Sequence, residues 1–225
     1  MKVQVDEAII LAAGQGLRLR PLTEDTPKCL IPVGGKSMLR HQVEWLVKNK
    51  ISKIIVTFNQ KVGGRKMISY VKELQKRCPR VEFVVSEEEQ GLGTAGGVKK
   101  AISNIEREEF FVINADDLTD VNLDNLRRIG SNCITVGHQV SDWGVVRLRG
   151  NRVVEFVEKP LLPYWINIGI YLLGKEVESL LPNKGSLEKD VFSSLKDLKA
   201  YRYRGRWVTI NTVKDLQEAE WSVGV

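Results

Sequence analysis

Residues 11–36, LAAGQGLRLRPLTEDTPKCLIPVGGK, gather the residue types that hold a polyphosphate. The stretch continues from a short apolar run, residues 8–13, that reads as a buried strand. Open α/β sheets bind ligands at the carboxyl ends of such strands. Gly14 and Gly16 let the backbone come close to a ligand and leave N–H groups free to face anionic oxygens. Arg18, Arg20 and Lys28 supply positive charge. Pro21, Pro27 and Pro32 stiffen the loop, which lowers the entropy lost when it orders around a ligand. Two generic phosphate motifs fail here. The third glycine of a dinucleotide fingerprint opened by Gly14-x-Gly16 would fall on Leu19. Gly35-Lys36-Ser37 resembles the end of a P-loop, but its first glycine would fall on Leu30 and no strand runs into it.

Other chemistries lack their residues. Cys29, Cys78 and Cys133 lie far apart, with no CxxC pair, so a disulfide framework or zinc knuckle is not expected and a reducing cytoplasm fits. His41 and His138 have no ligand-spaced partner, and there is no GxSxG elbow. Any catalysis must come from carboxylates, Lys, Arg and a hard metal ion. The net charge of +6 suits an anionic ligand but is too mild to argue for nucleic acid. The Lys and Arg residues between positions 48 and 80 read as solvated helix faces, without interleaved aromatics. No run approaches the roughly 18 apolar residues of a membrane span. Asp6 and Glu7 precede the first apolar run, so no signal peptide is expected there. Neither a membrane nor a nucleic-acid partner is expected, and homo-oligomer formation is left open.

The elements that must position the loop follow from periodicity. At 225 residues, 43% hydrophobic and 28% charged, the chain has the composition of a globular protein with one sizeable core. Strands are expected at 8–13, 54–58, 81–85 and 110–114, and helices at 38–50, 66–75 and 94–102. In the first helix Leu39, Val43, Leu46 and Val47 share a face. This βαβαβαβ rhythm predicts a mostly parallel sheet covered on both faces. The second half reads as strands at 133–139, 144–148, 153–157, 165–172 and 200–203. Helices are expected at 175–181 and 186–195 and from 213 onward. Most apolar positions read as plain core. A single domain, 1–225, is expected, with a first half of about 1–120 and a second of about 121–225.

The loop closely resembles the signature LAAGxGxRLRPLTxxxPKxLxPVxGK of the sugar-1-phosphate nucleotidylyltransferases. Further segments agree in order. Residues 91–97 (GLGTAGG) resemble the family's second glycine-rich loop, and Asn114-Ala115-Asp116 its NGD metal-binding turn. Trp143-Gly144-Val145, Glu158-Lys159-Pro160, residues 166–171 (INIGIY) and residues 186–192 (SLEKDVF) resemble YGV, EKP, INAGIY and SIExDVF elements. The resemblance implies a Rossmann-like, three-layer nucleotide-diphospho-sugar transferase fold with a mostly parallel mixed sheet. The left-handed β-helix domain of some relatives is not expected. The implied reaction takes an NTP and a sugar 1-phosphate to an NDP-sugar and pyrophosphate with Mg²⁺, in the cytoplasm.

By the same resemblance, Arg18, Lys28 and Asp116 would be catalytic. Arg18 would hold the β- and γ-phosphates, Lys28 would contact the α-phosphate, and Asp116 would bind Mg²⁺. Leu11, Ala12, Ala13, Gly14, Gly16 and Gly93 would also line the nucleotide. Gly144, Glu158, Lys159 and Asn167 would hold the sugar phosphate, with Lys159 on the phosphate. Strand-end hydrogen bonding competes for Glu158 and Asn167.

The chain also departs from the family. Relatives usually carry a second metal-binding aspartate in a WxDxGTPEDL-like segment, and here that position holds Thr209. Leu17, where the family often has Thr or another polar residue, is a second departure, and Ser37 and Ala115 are milder ones. Ser86 or Glu87 falls where thymidylyl- and uridylyltransferases often carry a base-reading glutamine. The GLGTAGG form resembles the guanylyltransferases acting on mannose 1-phosphate or related sugars. Two alternatives stay open: a catalytically weak or inactive nucleotide-binding regulator, and a cytidylyltransferase acting on a non-sugar phosphomonoester.

Overall fold

The computed structural model describes residues 4–89 and 91–223. Its strands are β1 (Glu7–Leu11), β2 (Pro32–Val33), β3 (Lys36–Ser37), β4 (Lys53–Asn59), β5 (Glu82–Glu88), β6 (Glu109–Asn114), β7 (Asp117–Thr119), β8 (Cys133–Gly137), β9 (Val145–Arg149), β10 (Arg152–Val157), β11 (Ile166–Gly174), β12 (Lys199–Arg202) and β13 (Trp207–Thr209). Its helices are α1 (Met38–Lys48), α2 (Gly64–Arg77), α3 (Gly93–Ala101), α4 (Leu123–Ile129) and α5 (Val213–Val223).

Seven strands form the central sheet in the order β12-β8-β11-β6-β1-β4-β5. All run parallel except β11, which is antiparallel to both neighbours. The fold is therefore α/β with a mostly parallel mixed sheet. Alternation along each strand feeds two cores. Ala8 and Ile10 of β1 face one core, with Leu39, Val43 and Leu46 of α1, Met67 and Val71 of α2, and Leu123 of α4. Ile9 faces the other, with Ala95 and Val98 of α3 and Val177 and Leu187. Three layers result.

The chain leaves β1 toward β4 and β5, then returns past β1 to β6. Such a switch in strand order opens a crevice beyond the carboxyl ends of the strands. The loop after β1 forms one wall of it, and a third apolar cluster anchors that loop. Leu19, Ile31, Val33 and Met38 pack there against Ile210, Leu216 and Ala219.

Most expected strands and helices are present, with shifted ends. Residues 175–181 form a 3-10 helix, Lys175–Leu180, and only a single π turn, Leu187–Val191, forms within 186–195. The elements β7, β13 and α4 were not expected. The largest difference is the hairpin β9–β10, whose apolar residues are not core. Leu148, Val153 and Phe156 are 58%, 54% and 65% exposed, because this two-stranded ribbon pairs with no strand of the main sheet.

Helix α1 is more than cover. Ser37 caps it by accepting from Arg40 N–H at 3.1 Å, worth about 1 kcal/mol. From its inner face the buried Gln42 donates to the carbonyls of Asn114, at 2.6 Å, and Asp117, at 2.9 Å. One amide thus holds both sides of the turn after β6. Gln42→Leu leaves both carbonyls without this donor and should destabilise the fold by about 1–3 kcal/mol in urea melts.

Candidate functional site

A cavity of about 380 Å³ opens at the carboxyl ends of β1, β4, β5 and β6. Its walls include Leu11, Ala12, Ala13 and Gly14 on one side and Gly91, Leu92 and Gly93 on another. Lys28 and Asp116 stand at its β6 side, and Thr57, Asn59 and Glu88 come from β4 and β5.

The charged groups are tied together. Lys28 Nζ lies 2.7 Å from Asp116 Oδ2. It also donates to Asn211 Oδ1 at 2.9 Å, and Arg18 donates to the same oxygen at 2.8 Å. Asn211 Nδ2 donates to Thr209 Oγ1 at 3.0 Å. The Asn211 backbone is itself held, its N–H donating to Asp215 Oδ2 at 2.9 Å. Asn211 thus fixes two cations from the loop after β1 with one carbonyl oxygen. The sequence analysis passed over it, because an amide two residues past a three-residue strand carries no motif.

Asp117 is the other unanticipated group. It is buried and accepts from Trp207 Nε1 at 3.0 Å. Thr209 stands directly opposite it in the β7–β13 pair and also hydrogen-bonds its carboxylate. An aspartate at 209 would therefore face Asp117, so the departure at Thr209 coincides with a carboxylate on the neighbouring strand.

Several expected residues serve the fold as well as the cleft. Gly16, at φ +61°, opens a 3-10 turn and packs against Lys28 and Thr23, so its backbone conformation and tight packing account for the glycine. Gly93, at φ +74°, lines the cleft, yet an added side chain would strike the Gly185 carbonyl. Gly144 leaves room for the Phe156 ring and the Glu158 carboxylate. Glu158 is exposed at the end of the hairpin, and Lys159 follows it with φ +47°. Asn167 Nδ2 donates to Tyr171 Oη at 2.8 Å, and its Oδ1 accepts from Gly169 N–H at 3.1 Å. Both of its functional groups are thus used within β11 in the free protein. These four second-half residues lie outside the cleft wall, whereas Leu11, Ala12, Ala13, Gly14, Lys28, Gly93 and Asp116 converge on it. Neither Ser86 nor Glu87 lines the cleft; Glu88 does.

A cleft walled by backbone at the ends of parallel strands, with lysine, arginine and carboxylate linked at one side, has the chemistry to suit an anionic ligand. The chain belongs to the nucleotidyl transferase family, whose model matches residues 7–220. A curated relative, the mannose-1-phosphate guanyltransferase of Debaryomyces hansenii, is 33% identical over 227 residues, covering 93% of this chain and 62% of that protein. The chain thus spans about 62% of the length of that relative. The inositol-1-phosphate CTP transferase from T. maritima has the same fold, with a TM-score of 0.76 at 23% identity, covering 100% of this chain and 97% of that one. HddC from Yersinia pseudotuberculosis gives 0.74 at 24%, covering 96% and 99%. No helix among the described residues is long and apolar enough to cross a membrane.

Burial, and then the adjacent Asp116 carboxylate, push the Asp117 acid up to about 7. The folded chain therefore keeps a proton that the unfolded chain releases between pH 3.8 and about 7, and stability falls as pH rises through that window. Asp117→Asn keeps an acceptor for Trp207. Without added divalent cation, it should raise the melting temperature most above pH 7 and little below pH 4, as thermal melts across pH will show.

Proposed function

We propose that this chain transfers a nucleotidyl group from an NTP to a sugar 1-phosphate, releasing pyrophosphate. The observation that carries the reading is the linking of Lys28 and Arg18 through Asn211, with Lys28 paired directly to Asp116, at one side of a backbone-lined cleft. The names of the relatives favour guanylyl transfer to a hexose 1-phosphate such as mannose 1-phosphate. The two halves of the chain divide the work, residues 1–120 taking the nucleotide and 121–225 the sugar, within one domain.

The sugar phosphate oxygen attacks the α-phosphorus in line. The bond from the α-phosphorus to the bridging oxygen breaks, and pyrophosphate leaves with the electron pair. No protein nucleophile is needed, so catalysis rests on positioning and charge. The backbone from Leu11 to Gly14 and at Gly93 borders the nucleotide. As the triphosphate enters, Lys28 shifts from Asp116 to the α-phosphate, and Arg18 turns from Asn211 to the β- and γ-phosphates. Each cation exchanges a protein oxygen for a phosphate oxygen. Lys159 meets the phosphate of the sugar, and Glu158 and Asn167 meet its hydroxyls near Gly144.

The residues present fit Mg²⁺. Asp116 offers a half-exposed hard oxygen donor in the cleft wall, and Mg²⁺ commonly takes one or two carboxylates together with substrate phosphates and water. When bound there, the ion neutralises phosphate charge. The Asp117 carboxylate is already engaged by Trp207 and Thr209.

Thr209 favours a second reading, a nucleotide-binding regulator without turnover. Pyrophosphate release across four NTPs and a panel of sugar 1-phosphates separates the two. Turnover with a sugar 1-phosphate supports transfer. Nucleotide binding without turnover on any pair selects the regulator. Arg18→Ala should cut kcat/KM by more than about tenfold, and intact turnover would remove its role.

A further inference from the structure

Residues 186–192 (SLEKDVF) take no part in the proposed mechanism, yet one carboxylate there reaches both halves of the chain. Glu188 sits in the π turn Leu187–Val191, and the partners of its carboxylate are hydroxyls. Oε2 accepts from Ser186 Oγ at 2.5 Å and from Thr94 Oγ1 at 3.2 Å. Oε1 accepts from Tyr171 Oη at 3.1 Å. Thr94 lines the cleft, and its oxygen accepts from Leu187 N–H at 2.8 Å, so its one proton is left for Glu188. Two backbone bonds hold the same join. Ala95 N–H donates to the Gly185 carbonyl at 3.0 Å, and Gly185 N–H to the Leu92 carbonyl at 2.8 Å. The carboxylate thus stands on a fixed base.

Polarity then passes from group to group. Tyr171 is fully buried, and a buried phenol needs an acceptor for its proton. Burial, and then the Glu188 carboxylate, push this phenol up, so it keeps that proton. An ionised carboxylate only accepts, so the proton goes to Glu188 and the phenol oxygen is left to accept. It accepts from Asn167 Nδ2 at 2.8 Å. The other end of the amide meets Gly169 N–H, which can only donate, at 3.1 Å from Oδ1. Gly169 is itself pinned, because a side chain added there, at φ +73°, would strike Asp117 and Asn114. Turning the amide over would set N–H against N–H at Gly169 and oxygen against oxygen at Tyr171. Asn167 is exposed, and its amide keeps one lone pair and one N–H for a ligand.

We infer that Glu188 is a positioning residue for sugar recognition: through Tyr171 it fixes which end of the Asn167 amide meets which sugar hydroxyl. Glu188 itself touches no substrate. It is exposed, and substitutions at exposed positions cost the fold little, so its removal should free the amide and leave the chain folded. The inference rests on the nucleotidyl-transfer reading, in which Asn167 meets the sugar.

Two readouts on the whole chain test it. The first needs no turnover. The side-chain amide of Asn167 is identified in a proton–nitrogen correlation spectrum by its loss in Asn167→Asp. Its proton shifts should move in Glu188→Ala and in Tyr171→Phe. They should stay near native in Glu188→Gln, whose amide oxygen can still accept from Tyr171. The second readout is kinetic. With mannose 1-phosphate, Glu188→Ala should raise KM for the sugar about threefold to tenfold, the size of one neutral hydrogen bond, and change KM for the NTP less than about twofold. Glu188→Gln should restore the native value. In an Asn167→Ala background, Glu188→Ala should add nothing. An unmoved Asn167 amide in Glu188→Ala, equal rises in both KM values, or additive effects with Asn167→Ala overturn the inference. If Glu188→Ala does not fold, Tyr171→Phe, which keeps a ring against Phe192, replaces it in every arm. If no sugar 1-phosphate turns over, the transfer reading fails and takes the sugar role with it, while the spectra still decide whether Glu188 sets the Asn167 amide.

Discussion

The ion pair between Lys28 and Asp116 is the constraint around which the cleft is arranged. It joins the loop after β1 to the turn after β6, and Asn211 ties in the C-terminal segment 183 residues from Lys28. Both charges are partly shielded from water, so neither can lose its partner cheaply. In the proposed reaction, an incoming polyphosphate would offer Lys28 a replacement anion as Asp116 is released. The free cleft is therefore poised for exchange: its charges are satisfied by one another and can be satisfied as well by a ligand that carries anion and cation together.

Such an exchange requires that the backbone stay fixed while side chains move. Apolar anchoring does this for the loop. Leu19, Ile31 and Val33 are buried against Ile210 and Leu216, while Arg18, just before Leu19, is exposed. Burial of one such side chain is worth about 1.5–3 kcal/mol, more than a surface hydrogen bond of Arg18. On the opposite wall, Gln42 plays the same part with two hydrogen bonds to the turn that carries Asp116. The flexible cations thus sit on a framework held by stronger terms.

Much of this was legible in the sequence where the signal was long. The β1 loop, the alternating first half and Asp116 all rest on patterns of many residues. What was missed is short or nonlocal. β7 and β13 have three residues each, too few for a period of two to register, and they pair only because the chain returns over about 90 positions. The seven residues of α4 include four that are charged or amide-bearing, which masks its two buried leucines. The hairpin shows how apolar alternation misleads: Val146 and Leu148 have the spacing of a core strand, yet burial depends on what packs above them. Gln42 did leave a trace, being a polar residue on the inner stripe with Leu39, Val43 and Leu46.

The distribution of charge across the cleft adds a restraint on ligand direction that no single contact supplies. Lys28 and Arg18 cluster toward one end, while Glu88 and Glu89 stand at the other. A triphosphate turned end for end would lie against two carboxylates and leave the cations to Asp116 and Asn211. Even for a unit charge roughly 14 Å away, the interaction is about 1 kcal/mol at an effective dielectric near 20, and a triphosphate carries several charges at shorter range when reversed. That charge distribution would favour one orientation of a polyphosphate over the other. Glu88 and Glu89 would both repel phosphate from their end of the cleft.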